Sequence, residues 1–166
     1  MIFEILNKID AKYPFEHAGA HCDIPCKIYD PITAQLAVLT MIRMVDLINE
    51  LTAKESLTTE EQATFLRLVN EKEAHGNKVK QEIQIIWGDY IKQPQLASHQ
   101  NLHSLTHNIM LAASYAKQYI NREATVELLD KVNQFAQIFW ETKGVDVYRA
   151  TCPYPPAESL VYPVLK

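Results

Sequence analysis

Apolar residues recur every three or four positions along most of the chain, which is the spacing of amphipathic α-helices. Four such stretches follow one another, at about residues 31–51, 58–91, 98–119 and 124–143. Short connections between helices of similar length are typical of an up-down arrangement. The pattern therefore predicts an all-α protein, an up-down antiparallel four-helix bundle, over residues 31–144.

Helix-end signals support these boundaries. Asp30 is suited to cap the first helix, with Pro31 as its first residue. Thr58 and Glu61 have the spacing of a capping box at the start of the second helix. Gly144 is suited to close the fourth helix in the left-handed conformation. Trp87 and Trp140 fall on apolar stripes, and we expect both in the core.

The character of the chain changes after Gly144. Residues 145–166 hold four prolines, three tyrosines and the third cysteine of the chain, Cys152. Proline lacks a backbone N–H and interrupts helices, so a long helix is excluded here. We expect an extended Pro/Tyr-rich tail that lies on a surface, either its own or that of a neighbouring subunit, with Cys152 as a bystander thiol.

Composition narrows the function classes. The chain has 166 residues, which suits one domain. Its net charge is −4 and it has no basic stripe, so a nucleic-acid partner is not expected. No apolar run approaches the roughly 20 residues of a membrane span, and three cysteines do not suit a secreted disulfide framework. These observations predict no membrane and a cytoplasmic location.

The first twenty residues permit two interpretations. They end in Ala-Gly-Ala, which imitates a signal-peptidase site, but the apolar part is short, contains Glu4 and follows no basic region. One interpretation is an amphipathic turn packed on the domain. The other is a pro-segment, residues 1–20, that a dedicated protease removes.

The segment HCDIPC, residues 21–26, carries the candidate chemistry, and three interpretations of it stay open. Its two thiols could form a local disulfide or remain unpaired. They could bind zinc, which prefers thiolate and imidazole, with help from a helical face that carries histidines at i, i+4 and i+8. That face comprises His99, His103 and His107. They could instead hold a redox metal within the segment itself.

The third interpretation becomes specific if the chain is cut before His21. The new amine, the amide nitrogen of Cys22 and the thiolates of Cys22 and Cys26 would supply two nitrogens and two sulfurs in a plane. Square-planar nitrogen ligation favours Ni(II) or Cu(II). The imidazole of His21 would lie over that plane as an axial ligand.

The residues HCDIPCKIYDP, 21–31, resemble the nickel-hook signature H-C-D-x-P-C-x-x-Y-D-P of nickel-containing superoxide dismutases. The similarity continues along the chain through three further motifs in the order of that family. These are IIWGDYIKQP at 85–94, NLHSL at 101–105 and IFWETK at 138–143. The resemblance covers roughly residues 20–144.

This resemblance implies an enzyme that converts superoxide to O2 and H2O2 by cycling between Ni(II) and Ni(III). It implies cleavage before His21 by a maturation protease, one nickel per subunit, and the ligands His21, Cys22 and Cys26. It also implies a homohexamer in which neighbouring subunits cover the hooks, residues 21–30. The runner-up hypothesis is a non-enzymatic helical bundle that binds zinc or copper.

The resemblance assigns further roles around the metal. Asp23 orders the hook, Pro25 shapes its reversal, and the hydroxyl of Tyr29 positions superoxide or water at the open nickel face. Many family members carry a Glu that bonds the histidine ligand, and some carry an Arg beside that Glu. This chain has Ala37 and His75 at these positions, which predicts that His75 orients the imidazole of His21.

Two charged residues near these positions extend the predictions. Glu73 is a further candidate for the support of the histidine ligand. Lys27, inside the hook, carries a cation that could attract anionic superoxide. The alternative for Lys27 is an ordinary solvated lysine, and the alternative for His75 is a histidine on a helix surface.

Overall fold

Most of the chain is helical, as expected. This computed structural model describes residues 27–165. The helices are α1 (Ile32–Thr52), α2 (Thr59–Ile85), α3 (Gln93–Ser98), α4 (Leu102–Gln118) and α5 (Arg122–Thr142), and a π-helical turn, Ile86–Tyr90, continues α2. A two-stranded antiparallel sheet, β1 (Val147–Thr151) and β2 (Ser159–Pro163), follows.

The predicted capping residues lie at or near the observed helix ends. Thr58 Oγ1 accepts from the amide of Glu61 at 3.3 Å, and Glu61 Oε2 accepts from the amide of Thr58 at 2.9 Å. Gly144 follows α5 with a φ of +68°, a conformation that glycine adopts without a Cβ clash. Asp30 Oδ1 accepts from the amide of Ile32 at 2.8 Å, so α1 begins one residue later than predicted.

The four long helices enclose the core. α1 packs against α2 and α5, and α4 packs against the same two helices, so the contacts form a closed ring. We call α1–α5 the helical body. Most of its fully buried side chains are apolar, and the largest of these include Met41, Ile42, Ile48, Ile83, Leu102, Ile109, Leu128, Phe135 and Phe139.

α1 is the most apolar helix of the described chain. Its 21 residues are long and apolar enough to cross a membrane by length and composition alone, so the statement that no run approaches this length was wrong. Half of that stretch is buried inside the fold, where Val38, Ile42 and Val45 contact other helices rather than solvent. Burial against α2 and α5 therefore accounts for the apolar character of α1.

The connection between α2 and α4 differs from the prediction. The third predicted helix was expected from about residue 98, but α4 begins at Leu102 and the short helix α3 precedes it. The π-helical turn also rotates the end of α2. Trp87 is consequently 37% exposed, which corrects the expectation of a core position, whereas Trp140 is partly buried against the core.

The residues after Gly144 form a hairpin, which the all-α prediction did not include. Strand pairing runs from Val147 opposite Pro163 to Thr151 opposite Ser159. The hairpin packs on α5 and buries the side chains of Cys152, Leu160 and Val161. The tail is thus part of the folded unit of this chain, with its apolar face in the core.

Candidate metal centre

The donor-bearing part of the predicted hook, residues 21–26, lies outside the described residues. His21, Cys22, Asp23, Pro25 and Cys26 all precede Lys27, and their roles stay predictions. The predicted pro-segment, residues 1–20, also lies outside this range. The described chain includes the last part of the hook, residues 27–30, and the end of the helical body to which the hook is attached.

Tyr29 belongs to this last part of the hook and packs against the core. Its ring centroid is 5.8 Å from that of Tyr90, at an interplanar angle of 43°. The backbone after Tyr29 is constrained, because Pro31 fixes its own φ and Asp30 bonds the amide of Ile32. The start of α1 thus presents Tyr29 in a defined position beside the π-helical turn.

Tyr90 is held by a hydrogen bond whose direction can be deduced. Its hydroxyl lies 2.7 Å from Thr142 Oγ1, and Thr142 itself donates to the carbonyl of Phe139 at 2.7 Å. A threonine hydroxyl has a single hydrogen, so Tyr90 must be the donor to Thr142. The hydroxyl oxygen of Tyr90 consequently retains acceptor capacity on its other side.

A cation lies over the same ring. Lys143 Nζ is 4.5 Å from the centroid of Tyr90 and 5.3 Å from that of Phe139, within the range of cation–π attraction. The rings of Tyr90 and Phe139 are themselves 5.0 Å apart. We call Tyr29, Tyr90, Phe139, Thr142 and Lys143 the aromatic cluster. It places hydroxyl groups and a positive charge beside the end of the hook.

Lys27 is the first described residue. It is exposed, and its φ of +59° lies in the left-handed region, which is uncommon for a residue with a side chain. The chain therefore turns sharply where it leaves the hook. The predicted role of Lys27 in attracting superoxide remains a prediction.

His75 lies near the middle of α2, fifteen residues before Tyr90. Its Nδ1 is 2.9 Å from the carbonyl oxygen of Glu71 and 3.5 Å from Glu71 Oε2, so its recorded partners belong to its own helix. Glu73 lies 3.6 Å from Lys117 Nζ, and Ala37 is buried in the core. Support of the His21 imidazole by His75 stays a prediction.

The three histidines considered for zinc do not share one helix, because His99 follows the end of α3 and α4 begins at Leu102. Trp87 Nε1 donates to His103 Nδ1 at 3.0 Å, and the two rings meet edge to face. Between residues 27 and 165 no group of three His, Cys, Asp or Glu side chains could hold a metal ion. The hypothesis of a zinc site completed by His99, His103 and His107 also needs the thiols of the hook, which lie outside these residues, so it stays a prediction.

Cys152 is a buried free thiol, and its sulfur donates to the carbonyl of Tyr154 at 3.2 Å. Its position inside the hairpin agrees with the expectation of a bystander thiol.

Sequence reasoning did not single out Tyr90, Thr142 or Lys143. All three fall within the motifs IIWGDYIKQP and IFWETK, which were used only as evidence of resemblance. These two motifs are far apart in the sequence, but they meet at the end of the helical body, where Tyr90 bonds Thr142. Their side-chain pairing depends on the π-helical turn, which periodicity does not reveal.

A helical protein with thiolate and imidazole groups just ahead of its first long helix belongs to the class of helical metalloproteins. The family model described as nickel-containing superoxide dismutase matches residues 16–143. The chain belongs to that family. It is a superoxide dismutase, and its cofactor is nickel.

Individual relatives agree with this assignment. The chain is 33% identical over 130 residues to "Superoxide dismutase [Ni]" of Streptomyces seoulensis, across 78% of this chain and 93% of the relative. It is 29% identical over 125 residues to the protein of the same name from Streptomyces coelicolor, across 75% of this chain and 89% of the relative.

Solved structures give the same result. A crystal structure of Ni-containing superoxide dismutase, with nickel ligation corresponding to the oxidized state, superposes with a TM-score of 0.65 at 31% identity. The alignment covers 75% of this chain and 99% of that chain. A native nickel superoxide dismutase structure gives a TM-score of 0.64 at 28% identity, over 74% and 99% of the two chains.

Proposed function

We propose that this chain dismutates superoxide at a nickel ion held by the hook, after cleavage before His21. The proposed donors are the amine and imidazole of His21, the amide nitrogen and thiolate of Cys22, and the thiolate of Cys26. Residues 1–20 are then a pro-segment that keeps the nitrogen of His21 in an amide until a protease removes it.

The observation that carries this proposal is the distribution of metal donors. Within residues 27–165, no three candidate ligands lie together, and the thiol of Cys152 is buried and bonded to a carbonyl. The chain has two other thiols, Cys22 and Cys26, and both lie in the hook beside His21. Square-planar Ni(II) favours nitrogen ligands, and thiolates bind soft or borderline metal ions. The nitrogens and thiolates of the hook therefore fit the nickel cofactor of the family.

Dismutation consumes two superoxide ions and two protons and yields one O2 and one H2O2. His21, Cys22 and Cys26 would hold the nickel, which would supply one-electron redox chemistry when bound. The protein must then attract an anion, position it and provide a route for protons. The aromatic cluster and Lys27 offer groups for these tasks.

Tyr29 and Tyr90 are the proposed positioning residues for substrate or water. The Tyr90 hydroxyl donates its hydrogen to Thr142, so the Tyr90 oxygen can accept a hydrogen bond from water or another donor. Lys143 adds a positive charge at the same surface, which favours the approach of an anion in a protein of net charge −4. Asp23 and Pro25 are proposed to order and shape the hook.

We also propose that the helical body is an up-down antiparallel bundle. Cross-helix contacts support this direction of packing: Asp46, late in α1, bonds Arg122 at the start of α5, whereas Gln35, early in α1, bonds Asn133 further along α5. Lys80 of α2 similarly bonds Ser114 of α4, and Trp87 bonds His103 nearer the start of α4.

The proposed assembly and location follow from the family resemblance and from the sequence. A homohexamer is proposed, in which neighbouring subunits cover the hooks. A cytoplasmic location is proposed as well.

The decisive experiment compares a chain that begins at His21 with the full-length chain. Both are loaded with nickel, and superoxide consumption is followed by pulse radiolysis, with nickel content measured per chain. We expect turnover only in the trimmed chain, with one nickel bound. Equal turnover by the full-length chain would contradict ligation by the amine of His21.

Cysteine variants provide matched controls within the trimmed chain. Cys22→Ser and Cys26→Ser should each abolish nickel-dependent turnover and lower the nickel content. Cys152→Ser removes a thiol from the hairpin and should leave both unchanged. Loss of nickel in the Cys152 variant, with retention in the other two, would place the metal elsewhere.

A further inference from the structure

The C-terminal hairpin lies beyond the residues that the family model matches. The family model ends at residue 143, and the aligned solved structure is covered over 99% of its length by 75% of this chain. The hairpin begins at Val147, four residues beyond the family match. It nevertheless buries Cys152, Leu160 and Val161 against the helical body. Any function specific to the hairpin must act through its contacts with the helical body.

A buried polar network joins the hairpin to α1 and α5. Gln35 Nε2 donates to Asn133 Oδ1 at 2.8 Å and to the carbonyl of Val161 at 3.0 Å. The amide of Val161 donates to Asn133 Oδ1 at 3.1 Å, and Asn133 Nδ2 donates to the carbonyl of Ser159 at 2.9 Å. Each of the two side chains thus bonds both the other and strand β2.

This network is fixed in place by burial. Gln35 is 1% exposed and Asn133 is fully buried. Buried amides that lose their partners incur a desolvation penalty, so separation of the hairpin from the helices would leave three hydrogen bonds unmade at once. A second attachment lies near the far end of α1, where Arg122 bonds both Asp46, at 2.8 Å, and Glu158, at 2.7 Å.

The network acts on the turn of α1 from which the hook starts. The amide of Gln35 donates to the carbonyl of Pro31 at 3.1 Å, which closes the first turn of the helix. Asp30 bonds the amide of Ile32 in the same turn, and Tyr29 directly precedes it. Because its side chain is bonded to β2 and to α5, Gln35 links the hairpin to the base of the hook.

We propose that the C-terminal hairpin is a clasp that holds the first turn of α1, and with it Tyr29, in register with Tyr90. Gln35 and Asn133 are the positioning residues of this clasp. They contact neither substrate nor metal, and they act through the backbone of α1. The inference about Tyr29 in catalysis rests on the proposed function, but the mechanical link does not.

The first test is the variant Gln35→Met in the full-length chain without metal. Methionine is unbranched and close to glutamine in size, so it removes both hydrogen bonds with little change in volume. We expect the amides of Ile32 and Gln35 to exchange with deuterium about tenfold faster, and the contact between the Tyr29 and Tyr90 rings, observed by NMR, to weaken.

The matched control is Thr106→Val. Thr106 is also buried and polar, but it lies in α4, away from the hairpin, and its hydroxyl has no recorded partner. This control should alter neither the exchange of the α1 amides nor the ring contact. Wild-type protection of the first turn in Gln35→Met would overturn the clasp.

A second measurement uses the unaltered chain, in case Gln35→Met does not fold. Native-state hydrogen exchange at increasing urea reports which amides open together. The clasp requires the amides of Val161 and Gln35 to be exposed in the same opening, with the same dependence on urea. Opening of the hairpin while Gln35 stays protected would overturn the proposal.

The consequence for catalysis is tested in the trimmed, nickel-loaded chain. If Tyr29 positions superoxide, Gln35→Met should lower kcat/KM several-fold at unchanged nickel content, while Thr106→Val leaves it unaltered. Faster amide exchange and a weaker ring contact with an unchanged kcat/KM would support the mechanical link and contradict the proposed role of Tyr29 in positioning superoxide. The two proposals therefore fail in distinguishable ways.

Discussion

The aromatic cluster and the hairpin both depend on α5 but are built differently. The cluster includes the last turn of α5, inside the family match, and combines the half-buried rings of Tyr29 and Tyr90 with the exposed Lys143 over the buried ring of Phe139. The hairpin contacts Asn133 in the middle of α5, whose side-chain amide is buried and bonded to β2. The aromatic cluster thus keeps polar groups accessible for chemistry. In the hairpin the buried polar groups are hydrogen-bonded within the protein, as expected of a stabilising element.

Removal of the hairpin should give the largest effect. A chain that ends at Gly144 loses Leu160, Val161 and Cys152 from the core and leaves Gln35 and Asn133 without their strand partners. Burial of each large apolar side chain contributes about 1.5–3 kcal/mol. We expect the free energy of unfolding, measured by urea titration, to fall by at least about 4 kcal/mol.

A shorter truncation provides the control. Leu165 is largely exposed, so a chain that ends at Val164 should stay within about 0.5 kcal/mol of the full-length chain. If truncation at Gly144 were equally mild, the helical body would be as self-sufficient as that of the shorter relatives. The contrast between the two regions would then be wrong.

Lys72 tests whether the helical body contains a polar attachment as strong as that of the hairpin. Its buried Nζ donates to the carbonyls of Ala116, Lys117 and Tyr119 at the end of α4, where helix carbonyls lack intrahelical partners. Lys72→Met should lower the free energy of unfolding by about 2 kcal/mol, measured by urea titration at neutral pH. An unchanged value would mean that desolvation of the charge offsets these bonds.

The pH dependence of this difference has a defined sign. Burial, the largest cause, lowers the pKa of Lys72 below its ordinary value, although Glu73 opposes this and Lys117 reinforces it. Between the lowered pKa and the unfolded value of about 10.4, the unfolded chain binds more protons, so stability contributed by Lys72 rises with pH. The difference between wild type and Lys72→Met should therefore grow as pH rises through that window.

The helices could be predicted because their signals are local. Thr58, Glu61 and Gly144 act within one turn, and the predicted helix ends lie close to the observed ones. The hairpin could not be predicted in this way, because its strands are stabilised by Gln35 and Asn133, which are more than a hundred and about thirty residues away from β2 respectively. Periodicity does not report such distant partners.

Only part of the candidate site could be predicted from the sequence, for the same reason. Tyr29 was found because it belongs to a contiguous motif with the hook. Tyr90 and Thr142 were not singled out, because 52 residues separate the two members of that hydrogen bond. The exposed position of Trp87 was also missed, since the π-helical turn shifts the helical period just where the site is built.

Tyr90→Phe and Thr142→Val test whether the aromatic cluster serves chemistry more than stability. Each removes the 2.7 Å hydrogen bond between the two hydroxyl groups and should lower the free energy of unfolding by only about 1 kcal/mol. Tyr90→Phe should lower kcat/KM of the trimmed, nickel-loaded chain several-fold. Thr142→Val keeps the phenol but frees its hydrogen, so a smaller loss is expected, and an equal loss would show that Thr142 has another role.

Thr106→Val should have the smallest effect. Among the described residues, Thr106 Oγ1 is the buried side-chain oxygen or nitrogen without a recorded hydrogen bond. An unsatisfied buried hydroxyl lowers stability, so its replacement by a methyl group of similar size should change the free energy of unfolding by no more than about 0.5 kcal/mol, or raise it.

Thr125→Val is the matched comparison for this prediction. Thr125 is equally buried, but its hydroxyl donates to the carbonyl of Asn121 at 2.7 Å, so the same substitution should cost about 1 kcal/mol. The difference between the two valine variants measures what a satisfied buried hydroxyl contributes in this fold. If both variants were equally destabilised, Thr106 would also have a hydrogen-bond partner, and the contrast between satisfied and unsatisfied polar groups would disappear.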